Sequence, residues 1–282
     1  MAIKNILVAY NGGAASDAAL HLGVQMAHKY DAHLTGIMAH GISSTTRHMP
    51  AWLSAHIRQS IEETFEGHGA DVRRRFHEQV TANLTADRTH WLEVEDDPDR
   101  SVATFARVFD ITLVGQYENL PEQDAMLLHP DRIAYDAARP VIIAPKSYKA
   151  ERLNERAVIA WDGGKTAARA MMDAMHVLET KEFVSVVTIG EDCFNRIPKR
   201  LDICALLARH GIRAEHQRII VLIRFLHQIL LTAATLLDYC DTSDFGLLVM
   251  GAYERAKFAE DLTGGFTQRV LRNITLPTFV SH

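Results

Sequence analysis

Residues 6–13 of the chain read ILVAYNGG, and residues 157–164 read AVIAWDGG. Each stretch is an apolar run of strand length that ends in an aromatic residue, an Asn or Asp, and two glycines. An alanine-containing stretch with helical spacing follows each run, at 14–27 and at 165–178. The same order of strand, turn and helix therefore occurs twice, which indicates an internal repeat.

Two further landmarks recur in the same order. The sequence LVGQYE at 113–118 matches VMGAYE at 249–254, and each half closes with a strand that begins at a proline, Pro140 or Pro277. Three matched landmarks predict two units in tandem.

We place the two units at residues 1–146 and 157–282, with a polar, charged linker from Lys146 to Arg156. The first unit carries about 15 more residues between its glycine landmarks than the second. Insertions are tolerated best in surface connections, so residues 42–60 are the natural place for the extra segment.

Within each unit, short apolar runs alternate with amphipathic helical patterns. The runs are apolar throughout rather than on one face, which is typical of parallel strands covered by helices on both sides. We therefore predict an α/β protein of two tandem Rossmann-like, doubly wound domains, each with a mostly parallel five-stranded sheet. In the first half, strands are predicted at 3–10, 32–39, 90–94, 111–115 and 140–144, and helices at 14–29, 54–82, 98–109 and 130–138.

The acidic cluster at 93–99 has a structural explanation. Asp97 followed by Pro98 is typical of an N-cap and a first helical residue, and the helix is expected to run through Arg107. A calcium loop is disfavoured because the cluster lacks the glycine and the terminal glutamate that such a loop needs.

Composition and charge exclude several classes of protein. With 48% hydrophobic residues and a net charge of −5, the chain of 282 residues has no basic footprint for nucleic acid, and the run at 73–75 is better read as one solvated helix face. The three cysteines show no CxxC spacing, which favours reduced thiols. Residues 1–8 pass directly into a strand pattern without a secretory signal, so we expect a cytoplasmic protein.

The segment 219–237 is apolar over about the length of a membrane span. It contains Arg224, His227 and Gln228 near its middle, and such groups are costly in lipid. We therefore expect a short strand that ends near Val221, followed by a helix that packs on the sheet, rather than a membrane-spanning helix.

Both glycine landmarks follow strands, and ligands of open parallel sheets bind beyond the carboxyl ends of the strands. In the second unit, Gly264 and Gly265 also open a short helical segment that begins near Gln268. Glycines at a helix start let backbone N–H groups approach an anion, and the helix dipole favours negative charge there. The sequence predicts a phosphate site between Gly251 and this turn.

These residues carry a family resemblance. The second half reads strand-Asp-Gly, then Met-Gly-Ala-Tyr, then Gly-Gly-Phe-Thr and a closing Leu-Pro strand, and nearly the whole chain resembles a tandem universal stress protein. In the nucleotide-binding branch of that family the signature is Gly, two residues, Gly, nine residues, Gly, then Ser or Thr. The resemblance implies a role in stress response and binding of ATP with magnesium at this loop, with an Asp near the nucleoside.

The signature is only partly kept in the second unit. Asp162, Gly251 and Gly264 match the signature at the right spacing. Glu254 replaces the second glycine, and Gly265 replaces the Ser or Thr. Thr267 would therefore have to supply the hydroxyl. A carboxylate beside a polyphosphate is unfavourable unless it turns away or shares a metal ion. The residues that the resemblance marks as nucleotide-binding candidates are Ala160, Asp162, Gly163, Val187, Met250, Gly251, Glu254, Gly264, Gly265, Phe266 and Thr267.

The first unit departs further from the family pattern. Asn11 stands in place of the Asp, Glu118 replaces the second glycine, and no glycine occurs from Gln116 to Pro145. We expect Gly12 and Gly13 to serve the turn and the packing of the helix rather than a phosphate.

Two functions remain open from the sequence. The first is an adenine-nucleotide-binding stress protein, and the second is an interaction or dimerisation protein with degenerate loops, favoured by the matching Glu118 and Glu254. No catalytic residue or metal ligand set is recognisable, so enzymatic activity would at most be slow ATP hydrolysis. Members of the family pair through edge strands, which implies pairing of the two units within this chain or a homodimer.

Overall fold

The computed structural model describes residues 3–41, 55–118, 126–190, 202–220, 228–252 and 265–282. Within these ranges the chain alternates strands and helices, as the apolar periodicity predicts. The strands are β1 Asn5–Ala9, β2 His33–His40, β3 Thr89–Glu95, β4 Ile111–Gly115, β5 Val141–Ala144, β6 Arg156–Ala160, β7 Phe183–Ile189, β8 Ala214–Ile219, β9 Leu247–Gly251 and β10 Thr278–Ser281. The helices are α1 Ala14–Tyr30, α2 Ala55–Thr81, α3 Pro98–Ala106, α4 Pro130–Asp136, α5 Lys165–Asp173, α6 Met175–Leu178, α7 Ile203–Arg209, α8 Gln228–Thr242 and α9 Phe266–Arg272.

The described strands form one sheet in the order β3-β2-β1-β4-β5-β10-β9-β6-β7-β8. Each half has the same internal order, since β8-β7-β6-β9-β10 repeats β3-β2-β1-β4-β5. The halves meet where β5 pairs with β10 in antiparallel orientation, with Val141 opposite Val280 and Ile143 opposite Thr278. The α/β, doubly wound prediction is confirmed, and the two five-stranded sheets are joined edge to edge into one mostly parallel sheet.

Helices cover both faces of the sheet because the strands are apolar on both sides. Ile6 and Val8 belong to a buried cluster that includes residues of α1, α2, α5, α6 and α7. Leu7 and Ala9 belong to a second cluster, on the opposite face, with residues of α3, α4, α8 and α9. Alternate residues of one strand therefore point into different cores, as the period of two requires.

Most predicted boundaries agree with the structure within three residues. The Asp97 side chain caps α3 by accepting a hydrogen bond from the Arg100 backbone N–H at 2.8 Å, with Pro98 in the first turn. The helix expected through Leu178 is instead interrupted at Ala174, between α5 and α6.

Two predicted features fall partly outside the described residues. Residues 42–54 of the extra segment assigned to 42–60 lie outside the described residues. The strand end expected near Val221 also lies outside them. In the described part of that region, β8 ends at Ile219 and α8 begins at Gln228. The part of the chain that the structure describes contains no candidate membrane-spanning helix.

Candidate functional site

The turn after the first strand of each half has the same geometry. Asn11 Oδ1 accepts a hydrogen bond from the Gly13 N–H at 3.0 Å, and Asp162 Oδ1 accepts one from the Gly164 N–H at 2.8 Å. Gly12 and Gly163 have φ angles of 78° and 76°, in the left-handed region that favours glycine. Asn and Asp therefore serve the same local turn, whatever else they bind.

The second pair of glycine landmarks allows close packing of a strand end on a helix start. A Cβ atom added to Gly115 would lie 2.5 Å from the backbone carbonyl carbon of Ala15, and one added to Gly251 would lie 2.4 Å from that of Thr166. Both distances are below van der Waals contact. The glycines hold the end of β4 against α1 and the end of β9 against α5.

In the first half, Glu118 occupies the start of α1. Its Oε2 atom accepts a hydrogen bond from the Ala15 backbone N–H at 3.1 Å, and its Oε1 atom lies 2.9 Å from Lys146 Nζ. The side chain is 9% exposed. The carboxylate thus takes the position beside the first N–H groups of α1 and the positive end of the helix dipole, where an anion is otherwise stabilised.

The space around this carboxylate is small. Asn11 is buried, and its Nδ2 atom donates a hydrogen bond to the Met126 carbonyl at 3.1 Å. Asn11, Ala15, Gly115 and Glu118 help to line a cavity of about 10 Å³, which is near the minimum for one water molecule. The described residues therefore leave little space beside the first turn.

Helix α2 closes the same turn from the other side. Arg75 donates a hydrogen bond to the Gly12 carbonyl at 2.8 Å and pairs with Asp17 at 2.8 Å. The Tyr10 hydroxyl donates to Asp17 at 2.6 Å, and burial, followed by this hydrogen bond, raises the pKa of Tyr10 well above its usual value. Gly12 therefore lies in a network of structural contacts.

In the second half, several predicted residues lie together at the carboxyl edge of the sheet. Ala160 is opposite Val187 where β6 pairs with β7, and β9, which carries Met250 and Gly251, pairs with the other side of β6. Asp162 and Gly163 are exposed, whereas their counterpart Asn11 is 6% exposed. The second turn is therefore more open than the first.

The remaining candidates belong to the start of α9. Gly265 is the N-cap residue, Phe266 is the first helical residue, and Thr267 is buried at 8% exposure. Because β9 and β10 are parallel, the chain must cross from the carboxyl end of β9 back to the amino end of β10. Helix α9 lies in this connection, so its first residues lie toward the carboxyl ends of the strands. Glu254 and Gly264 lie outside the described residues, so their geometry is not part of this site.

The sequence interpretation missed the hydrogen bond between Glu118 and α1. It treated the glutamate as an obstacle to phosphate, whereas in the first half the carboxylate itself takes the anion position. The recurrence of glutamate three residues after the glycine landmark was the available signal. Its meaning depends on the contact between Gly115 and Ala15, which brings residues 100 positions apart together.

Neither a metal site nor a reactive thiol is found among the described residues. Among the described residues, no group of three or more His, Cys, Asp or Glu side chains is placed to hold a metal ion. Cys204 and Cys240 are free thiols. Burial raises the pKa of both, that of Cys240 to about 12, which disfavours the reactive thiolate.

The fold is similar to that of several solved structures. No protein-family model matches the chain, and no curated protein matches its sequence. Among solved structures, the chain is similar to a universal stress protein from Archaeoglobus fulgidus DSM 4304, with a TM-score of 0.70 and 13% identity over 98% of this chain and 95% of that one. It is also similar to a functionally unknown protein from Pseudomonas aeruginosa PAO1, with a TM-score of 0.60 and 13% identity over 99% and 92% of the two chains.

The similarity extends over nearly the full length of each chain. At 13% identity it establishes the fold, and the repeated strand order establishes the tandem arrangement. The chain has the fold of a universal stress protein, built twice and joined through one sheet.

Proposed function

We propose that this chain is a universal stress protein-like module of the cytoplasmic stress response, and that its second half binds an adenine nucleotide. The observation that carries the proposal is the contrast between the two turns. Asp162 and Gly163 are exposed at the carboxyl edge of the sheet, whereas Asn11 is buried beneath the Met126 carbonyl. Among the described residues, the second turn is the more exposed of the two.

The bound nucleotide would lie across the carboxyl ends of β7, β6 and β9. Ala160 and the backbone of the buried Val187 would border the base, and Asp162 would lie near the nucleoside. The phosphates and a magnesium ion would lie between Gly251 and the start of α9, where Gly264, Gly265 and Thr267 would supply backbone N–H groups and a hydroxyl. Lys165, exposed at the first position of α5, adds a positive charge beside this edge.

Calorimetric titration with ATP and with ADP, each with and without magnesium, tests the proposal. We expect one binding site per chain. Asp162→Ala should weaken binding by about tenfold, the loss of one charge-assisted hydrogen bond, while Asn11→Ala should leave the affinity unchanged. Absence of binding at millimolar nucleotide, or sensitivity to Asn11→Ala instead, would contradict it.

A second candidate function is an interaction or dimerisation protein that binds no nucleotide. The hydrogen bond from the Ala15 N–H to Glu118 favours it, because the carboxylate takes the anion position at the start of α1 and the sequence has Glu254 at the matching position of the second half. In that case Glu254→Gly should create or strengthen ATP binding. An unchanged titration would show that Glu254 does not close the site.

We also propose that residues 1–146 and 157–282 are the two domains, and that pairing of β5 with β10 takes the place of a homodimer. Strands at this seam pair in the register that a twofold axis would give, as Val141 opposes Val280 and Ile143 opposes Thr278. Light scattering should then report a monomer of 31.6 kDa. A mass twice as large would favour the homodimer.

A further inference from the structure

The linker between the halves fills a groove beside α1. The Tyr148 hydroxyl donates a hydrogen bond to Gln25 Oε1 at 2.7 Å, and the Tyr148 ring lies 5.9 Å from the ring of His21. Gln25 Nε2 donates to the Ala150 carbonyl at 2.6 Å, and His21 Nε2 lies 2.8 Å from the same oxygen. The linker is thus held by one tyrosine side chain and one backbone carbonyl, next to a turn in which the Tyr148 N–H donates to the Pro145 carbonyl at 2.9 Å.

Tyr148 is anchored in an apolar environment. Its ring and the side chain of Leu153 pack against the buried cluster on this face of the sheet. Burial raises the pKa of the Tyr148 hydroxyl to about 12. The groove therefore combines an apolar floor with polar groups at its rim.

The internal repeat produces a second groove of the same kind beside α5 and α6. Positions 151 residues apart correspond, as Gly12 does to Gly163, so that His21 corresponds to Met172 and Gln25 to His176. Exposure supports this alignment, because His21 and Met172 are both exposed while Gln25 and His176 are both half-buried.

The corresponding groove contains a cavity of about 190 Å³. Met172, His176 and Val177 form the wall on the helix side. The opposite wall includes Ile111, Pro140 and Phe279, from the neighbouring ends of β4, β5 and β10. Pockets for drug-sized ligands span roughly 300–1,000 Å³, so this cavity is suited to a single large side chain.

We propose that this second groove binds a segment of a partner protein through a tyrosine side chain, as the first groove binds Tyr148. His176 stands where Gln25 does, and an imidazole can accept from a phenol and donate to a peptide carbonyl. The segment adds no strand to the sheet, and its recognition depends on one aromatic anchor.

The residues around Tyr148 supply a probe for the second groove. Asp110, Asp173 and Arg139 line that groove, and Asp173 also lies 3.7 Å from Arg169. In the linker, Lys149 follows Tyr148 directly. The linker sequence itself is therefore a suitable probe.

The test uses the full chain and a fluorescein-labelled peptide with the linker sequence KSYKAE of residues 146–151. We expect a saturable rise in fluorescence anisotropy. Binding should weaken by about tenfold when the peptide tyrosine is replaced by alanine, and by a similar factor when Met172→Trp fills the groove. Leu231→Trp is the matched control, because Leu231 is also partly exposed but lies on α8 over the opposite face.

Three results would overturn the proposal. They are absence of saturable binding, binding that the tyrosine-free peptide retains, and binding that Met172→Trp leaves unchanged. In the last case, a His21→Ala variant that alters the signal would show that the peptide displaces the linker from the first groove. A small aromatic phenol that saturates the same site equally well would assign the cavity to small molecules instead.

Discussion

Glu155 accepts hydrogen bonds from Lys29 on both carboxylate oxygens, at 2.8 Å and 2.7 Å. Lys29 belongs to the first half and Glu155 lies just before the second. Lys181, whose side chain is 5% exposed, lies 3.2 Å from the same carboxylate. One glutamate therefore partners two lysines from different halves, and its removal leaves a buried ammonium without that partner.

Glu155→Gln should lower the free energy of unfolding by about 1–3 kcal/mol, because the hydrogen bonds from two charged groups are weakened and a buried charge loses its counterion. Urea denaturation measures this change. Arg74→Gln is the control: it removes ion pairs with Asp71 and Glu78 that are exposed to solvent, and no measurable change is expected. Equal effects of the two substitutions would contradict the role of Glu155.

The contribution of Glu155 should depend on pH. Burial acts to raise the pKa of its carboxyl group, but the hydrogen bonds and charges of Lys29 and Lys181 outweigh burial and lower it. A carboxyl whose folded pKa is lowered stabilises the fold above its unfolded pKa and loses this effect as the pH falls through the folded value. The stability difference between the native chain and Glu155→Gln should be full at neutral pH and vanish in acid. A difference that persists below the folded pKa would refute the assignment.

Gly251→Ala and Gly115→Ala should each destabilise the chain by about 1–3 kcal/mol, because the added methyl group meets helix backbone rather than a movable side chain. Thermal unfolding of each variant checks the expectation. Gly67→Ala is the matched control, since no atom lies within 4 Å of its added Cβ, and alanine in the helix interior should stabilise it by about 0.5–1 kcal/mol. A neutral result at Gly251 would mean that the strand end and α5 are not in close contact.

Asn11 and Asp162 should not be interchangeable. Asn11→Asp places a carboxylate against the Met126 carbonyl in a buried site and should cost about 1–3 kcal/mol. Asp162→Asn keeps the oxygen that accepts from the Gly164 N–H, and the residue is exposed, so stability should change little. Denaturation curves for both variants measure the two changes in the free energy of unfolding. A larger loss for Asp162→Asn than for Asn11→Asp would be inconsistent with the buried amide of Asn11.

The two described cysteines should differ in reactivity toward a thiol reagent. Cys204 is half-buried, whereas Cys240 is buried and its pKa is raised to about 12. In a Cys193→Ser background, Cys204 should react in the native state and Cys240 only after unfolding. Rapid labelling of both, located by mass spectrometry, would contradict the burial of Cys240.

Sequence reasoning succeeded where the information was local. Alternation of apolar runs with helical spacing located β1, α1 and β4, and Asp97 before Pro98 marked the start of α3. The interruption at Ala174 was missed, because alanine has a high helix propensity and the break lies within a continuous amphipathic pattern.

The candidate site was only partly predictable. The residues at the ends of β6, β7 and β9 lie together as expected, since parallel strands bring their carboxyl ends to one edge. The capping of α1 by Glu118 was not predicted, because it depends on how closely β4 approaches that helix.

By itself, the sequence determined that the chain is a repeated α/β unit with glycine turns after its strands, because hydrophobic periodicity and turn chemistry act between near neighbours. Three features could be seen only in the folded chain: the pairing of β5 with β10, the hydrogen bond from Ala15 to Glu118, and the contact of the linker with α1. These outcomes depend on contacts between residues about 100 or more positions apart, whose free energies are set by packing geometry rather than by local pattern.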